Sequence, residues 1–192
     1  KGIRTDISDA STTTTFTTTL DLSEVFDNVT YTGTAATQSV PCTPDLSTND
    51  GAVFVVNTST TDNLRVVDTL RGVGAAFVIP SIIETAEATG LTSFNLNSFN
   101  VGALASYNGS GNSIWSLVLQ ETAKFFDIVR ISNGAGAPAA TARVVAHSLG
   151  DEVGFIICGQ ETGAAPATSA NFCWIRGMDA IDAFYFGANN AA

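Results

Sequence analysis

The longest apolar runs in this 192-residue chain, such as residues 75–80 (AAFVIP) and 153–158 (VGFIIC), last six residues. Gly, Asn, Pro and Ser clusters then cut them off, far short of the ~20 residues that a bilayer span needs. Short apolar segments between turn residues are the pattern of strands, and the composition agrees. The chain holds 25 Thr and 12 Phe but one Met and two Lys, so strand formers are plentiful and several good helix formers are scarce. Only residues 81–89 (SIIETAEAT) and 121–126 could carry a helical turn. The fold class read from this is all-β. With 45% hydrophobic residues a packed core is expected, and disorder over the whole length is excluded.

Sliding the sequence on itself by 78 positions lays residues 65–112 over residues 143–190. Arg65-Val66-Val67 falls on Arg143-Val144-Val145, Gly72 on Gly150, Phe77 on Phe155, Ile79 on Ile157, Phe94 on Phe172 and Tyr107 on Tyr185. There are 12 identities in 48 ungapped positions, where chance for this composition gives roughly three. Upstream, Phe26-Asp27-x-Val29 matches Phe126-Asp127-x-Val129 at an offset of 100, so the first copy carries 22 extra residues. The self-match predicts a tandem duplication of a small six-stranded β-sandwich or barrel-like unit. Phe77 and Phe155 are expected to be buried at equivalent places, as are the pairs Arg65/Arg143 and Tyr107/Tyr185 to superpose.

The domain organisation follows. Residues 1–19 form an extended Thr-rich arm, 20–110 the first β-repeat with an insertion at 33–63, and 111–192 the second β-repeat. The boundary is placed in the turn-prone Asn108-Gly109-Ser110-Gly111-Asn112. Strands are expected at 16–22, 29–34, 64–70, 75–79, 93–99 and 103–107, then at 114–119, 125–131, 142–147, 153–158, 172–175 and 181–186. The insertion, with Pro41, Pro44 and Asp50-Gly51, reads as a long surface loop that makes contacts. The arm has little apolar area to hold itself down, so it is either a tail or a strand that pairs on a neighbour. Its candidate assembly contacts are Thr12, Thr13, Thr14, Thr15, Phe16 and Thr17.

The chemistry-bearing residues do not assemble into a motif. His147 is the one histidine, and no Gly-x-Ser-x-Gly elbow accompanies it. Three cysteines and one histidine fall short of a standard zinc site. Asp45, Asp50, Asp62 and Asp68 do not fit an EF-hand and read as a solvated acidic surface. Glu84, Glu87, Glu121, Asp151, Glu152 and Glu161 offer glycosidase pairs only on paper. The glycines at 72–74 and 134–136 lack the context of a phosphate loop. No catalytic residue, cofactor or metal is expected. Sequons at Asn28, Asn57 and Asn108 are as many as chance gives for this composition. Cys158 and Cys173 lie on neighbouring strands and form a possible disulfide if Ile157 faces Trp174 and Ile156 faces Ile175. Cys42 stands alone in the insertion.

Eight basic against eighteen acidic residues give a net charge of −10, the wrong sign for a phosphate-binding surface. Neither nucleic acid nor membrane insertion is expected. The Thr tract at 12–19, the paired Phe-Asp-x-Val units and the lysine-poor surface resemble tailed-bacteriophage capsid decoration (cement) proteins. That resemblance implies symmetric multimers gripping a capsid lattice, without catalysis. The reading is a non-enzymatic structural subunit of a large assembly on a virion or extracellular surface, with itself and a capsid or filament lattice as partners. An extracellular filament or surface-layer subunit is one alternative. A carbohydrate-binding β-sandwich using Trp115, Trp174, Tyr107 and Tyr185 is the other, although their repeat-matched positions suggest core packing.

Overall fold

The computed structural model describes residues 7–9, 12–14, 22–79, 84–122, 125–129, 145–150, 153–158, 171–175 and 184–186. In chain order the elements are β1 (Ile7–Asp9), β2 (Thr12–Thr14), α1 (Leu22–Val25), β3 (Phe26–Thr32), β4 (Gln38–Pro41), β5 (Gly51–Asn57), β6 (Leu64–Asp68), β7 (Ala75–Ile79) and β8 (Glu84–Ala86). They continue with β9 (Leu91–Asn95), β10 (Ser98–Val101), α2 (Ala105–Asn108), β11 (Ser113–Gln120), β12 (Phe155–Cys158), β13 (Asn171–Ile175) and β14 (Phe184–Phe186). The chain is predominantly β, and its strand pairs are antiparallel.

One sheet has the order β3-β11-β5-β6-β7-β8 and a second the order β4-β10-β9. They bury a single apolar cluster between them. Val53, Val55, Val67, Ala76, Val78, Ile114 and Val118 come from the larger sheet, and Val40, Leu91, Phe99 and Val101 from the smaller. Tyr107 on α2 closes one end, and Tyr31 meets Phe99 edge to face with ring centroids 6.3 Å apart. Each large side chain removed from water here contributes on the order of 1.5–3 kcal/mol.

The insertion at 33–63 is not a surface loop. It supplies β4 and β5, and β5 lies at the middle of the larger sheet between β11 and β6. Pro44 does lie in a bend between the two strands, but the Val- and Phe-rich run that starts at Gly51 (GAVFVVN) is long enough for a strand covered on both faces. Gly51 is required at its start, because a Cβ there would collide with the carbonyl oxygen of Leu119 on the neighbouring strand.

The boundary at residue 110 falls inside this packed unit. β11, assigned from sequence to the second repeat, pairs with β3 over Ser113↔Thr32 to Leu119↔Phe26 and with β5 over Ile114↔Asn57 to Gln120↔Gly51. The Gly-rich turn returns the chain from α2 into the same sheet. Gly33 and Gly111 hold it through Gly33 N–H to Asn112 O (2.8 Å) and Gly111 N–H to Gly33 O (2.9 Å).

The paired repeat markers take different structures. Tyr107 lies in a helical turn and Tyr185 in β14. Phe77 is 3% exposed as expected, whereas Phe155 is 54% exposed. Arg143 lies outside the described residues. Phe26-Asp27-x-Val29 opens β3, while Phe126 makes only an isolated bridge to Thr122, where a strand over 125–131 was expected.

Among the other elements one matches the sequence reading and several differ. The strand at 64–70 ends at Asp68, and that at 75–79 is β7 itself. The single strand at 93–99 is broken by a turn at Leu96-Asn97, with Asn97 at φ 57°, into the β9–β10 hairpin. Residues 103–107 give the α2 turn instead of a strand, with Asn108 N–H bonding to Leu104 O at 2.8 Å. The residues offered as helical give β8 and the Thr122↔Phe126 bridge. Residues 145–147 carry no strand, and 16–21 and 142–144 lie outside the described residues. The arm, expected as extended over 1–19, doubles back where it is described, with β1 pairing β2 over Ile7↔Thr14 to Asp9↔Thr12.

Candidate functional site

Polar side chains meet in three places. At the first, Arg65 of β6 projects to the core side of the larger sheet. Its Nε donates to Glu87 Oε1 at 2.9 Å and its Nη1 to Asp62 Oδ1 at 2.8 Å. Tyr107 Oη donates to Glu87 Oε2 at 2.6 Å, Tyr31 Oη donates to the Tyr107 carbonyl at 2.7 Å, and the Arg65 guanidinium lies 5.8 Å from the Tyr107 ring centre. Burial, reinforced by the Glu87 carboxylate, holds the Tyr107 hydroxyl far above its ordinary pKa, and burial alone does the same to Tyr31. Burial works to raise Asp62 as well. Hydrogen bonds from Arg65, Ser106 and Asn63 outweigh it and leave that carboxyl below the usual range. Every oxygen of Glu87 faces a donor, so the cluster ties β6, the β8–β9 loop and α2 together.

At the second place, Asp45 folds its own loop. Its Oδ1 accepts from Ser47 N–H (2.8 Å) and Ser47 Oγ (2.6 Å), and its Oδ2 from Thr48 Oγ1 (2.8 Å), which lowers its pKa. At the third, Glu121 is raised by burial and then by Asp127 and Asp50, while Ser148 bonds to both Glu121 and Asp127. Asp50 Oδ1 also accepts from Thr69 Oγ1 at 2.9 Å. Asp68 pairs with Arg71 at 2.9 Å. Asp45, Asp50, Asp62 and Asp68 therefore each have separate partners. Among the described residues no group of three His, Cys, Asp or Glu side chains is placed to hold a metal ion.

The remaining sequence candidates are scattered. His147 is exposed. Cys42 is buried beside the Pro44 carbonyl, and burial, with Asp27 nearby, pushes its thiol pKa up to about 12, which suppresses the reactive thiolate. Glu84 lies in β8, and Asp151, Glu152 and Glu161 lie outside the described residues. Of the sequons, Asn57 and Asn108 are buried; only Asn28, on β3, is exposed. Asn108 holds Gly102 O (2.9 Å), Ala36 O and Thr34 N–H, which pins the β3–β4 loop. β12 and β13 do form the expected hairpin, displaced by one residue: Ile157 stands opposite Cys173 and Cys158 opposite Phe172. Thr12, Thr13 and Thr14 form β2, while Thr15, Phe16 and Thr17 lie outside the described residues.

Sequence reasoning missed the outward face of the larger sheet. Register places Asn28, Leu117, Phe54, Val66 and Phe77 opposite one another in a single row across β3, β11, β5, β6 and β7. A second row runs Thr30, Trp115, Val56. The face away from the core is thus apolar at its centre, where a sheet with one wetted face carries polar residues. These side chains are neither sealed like Val53 nor open like Leu96, which is 65% exposed; most are half-buried, and Phe77 is fully buried with the Arg71 guanidinium 5.8 Å from its ring centre. The signal was present in the sequence: GAVFVVN and SIWSLVLQ are apolar at both parities or nearly so.

Among the described residues no helix is long and apolar enough to cross a membrane. Comparisons of the chain with protein-family models, with characterised proteins and with solved structures give no match.

Proposed function

We propose that this chain is a non-enzymatic structural subunit that works as one copy in a repeating assembly, on a virion as a capsid decoration or coat-layer protein. In this reading residues 22–122 are a β-sandwich module whose partners are further copies of the chain and a capsid lattice. A filament or surface-layer subunit on an extracellular surface would use the same contacts. The observation that carries the reading is the row Leu117, Phe54 and Val66, half-buried on the outward face of the larger sheet. An apolar sheet face is stable when another layer lies against it. The low charge of the chain, 14% of residues, lets such faces approach closely.

Native mass tests this directly. Sedimentation or light scattering of the intact chain is expected to give multiples of 19.9 kDa at micromolar concentration, and Leu117→Lys to reduce that mass. A chain that stays monomeric, alone and with every particle component, would overturn the proposal.

A further inference from the structure

We infer that the outer edge of β3 accepts the β1–β2 hairpin of a second copy of this chain. The inference rests on the assembly reading above and names the contact. Among the described residues four strands end the two sheets that share the core: β3, β8, β4 and β9. Exposed edges invite pairing, and proteins blunt them by shortness, proline, charge, bulges or cover. β8 has three residues. β4 ends in Pro41. β9 pairs through a bulge at Asn100/Val101, and the loop with Ser47, Thr48 and Asn49 faces it across a pocket of about 490 Å³. Among the described residues β3 has none of these protections. It is seven residues long, keeps regular register with β11 throughout, and contains no Pro, Lys or Arg. Its one charge, Asp27, is turned aside to accept hydrogen bonds from Thr43 N–H (2.9 Å) and Thr43 Oγ1 (3.3 Å).

The arm supplies the complementary half. A two-stranded hairpin with three residues per strand is marginal alone and gains stability from a third strand. In this chain β1 and β2 form a sheet of their own, and among the described residues β3 pairs with β11. Exposed Thr30 and Thr32 on β3 and the Thr-Thr-Thr sequence of β2 favour cross-strand pairing of polar β-branched residues. Lys1 and Arg4 balance Asp6 and Asp9, so the arm adds no net charge to an acidic surface.

The test mixes two full-length variants, Thr13→Cys and Thr30→Cys, under oxidising conditions. An inter-chain cross-link is expected in the mixture and not with either variant or the wild type alone. Deleting residues 1–14 is expected to weaken self-association by about tenfold or more, and so is Asn28→Lys, with the melting profile of the subunit kept. If multimers persist unchanged in both and the mixture does not cross-link, the β3 edge is overturned while the assembly reading stands. A wild-type chain that is monomeric throughout overturns both. A cross-link inside one chain carrying both cysteines, in monomers, would mean that the arm closes its own edge and would also overturn the inference.

Discussion

Phe77 and Phe155 sit 78 positions apart in matching sequence, yet Phe77 is 3% exposed and Phe155 is 54% exposed. Both lie on strands, and the runs around them (AAFVI and FIIC) are similarly apolar. The difference is in their neighbours. β7 is flanked by β6 and β8 and has the shared core behind it, whereas β12 is paired with β13 at the end of a three-stranded sheet. Local sequence sets the strand; burial is granted by what the rest of the chain brings alongside.

The largest effect separates these two regions. Phe77→Ala is expected to cost about 3–5 kcal/mol, because a buried aromatic is lost and its space cannot refill. Phe155→Ala is expected to cost under about 0.5 kcal/mol, as for an exposed position. Paired denaturant titrations measure both. Equal costs would erase the contrast and restore the two-copy reading.

A second contrast uses Arg65 and Arg143, matched by the same offset. Arg65 neutralises Glu87 and Asp62 with its side chain 11% exposed, so Arg65→Met leaves buried carboxylates without their cation and is expected to cost about 3 kcal/mol or more. Adding Glu87→Leu should recover part of that loss, since the uncompensated charge is then gone. Arg143→Met, at the other member of the matched pair, is the comparison. A cost at Arg143 like that at Arg65 would show a second cluster of the same kind.

Much of the strand content was legible, and the reasons differ from element to element. β7 and β11 were readable because each is a short, largely apolar run that begins after clear turn residues, Gly72-Val73-Gly74 and Gly109-Ser110-Gly111. β5 was hidden by what precedes it: Pro44, Asp45 and Asp50-Gly51 read as loop, and the strand that follows is central rather than amphipathic. α2 was unreadable because its turn is held by distant groups, among them Asn57 Nδ2 on the Ala105 carbonyl at 3.0 Å. The one-residue slip between β12 and β13 has a further cause. Their connection spans residues 159–170, and a link of that length does not fix register as a two-residue turn does. The Arg65–Glu87–Tyr107 cluster joins residues 22 and 20 positions apart, with no spacing rule to announce it.

Alkaline stability sharpens the view of the buried insertion. Burial, with Asp27, raises the Cys42 thiol to about 12 in the folded chain from about 9 when unfolded. A raised folded pKa means the contribution is complete below about pH 9 and is lost between about 9 and about 12, as the unfolded thiol ionises first. Tyr31 and Tyr107 act with the same sign at higher pH. Melting temperature is therefore expected to fall with rising pH above about 9, less steeply in Cys42→Ala. Identical slopes for the two would remove Cys42 as a cause.

The smallest effect lies where the packed unit leaves its last strand. Glu121 follows β11 and is raised by burial and by Asp127 and Asp50, so ionising it works against the folded state. Its stabilising contribution is present when it is protonated and is lost as pH rises through its folded value, so at neutral pH the cluster costs stability. Glu121→Gln keeps the shape, removes one charge from the repulsion and can still accept from Ser148. Because the group is largely open to water, screening limits the gain to about 2 °C in melting temperature, shrinking further in high salt. Added salt should stabilise the wild type more than Glu121→Gln. A loss of stability in Glu121→Gln would mean that its bond to Ser148 outweighs the repulsion and that this junction belongs to the packed unit rather than to its acidic rim.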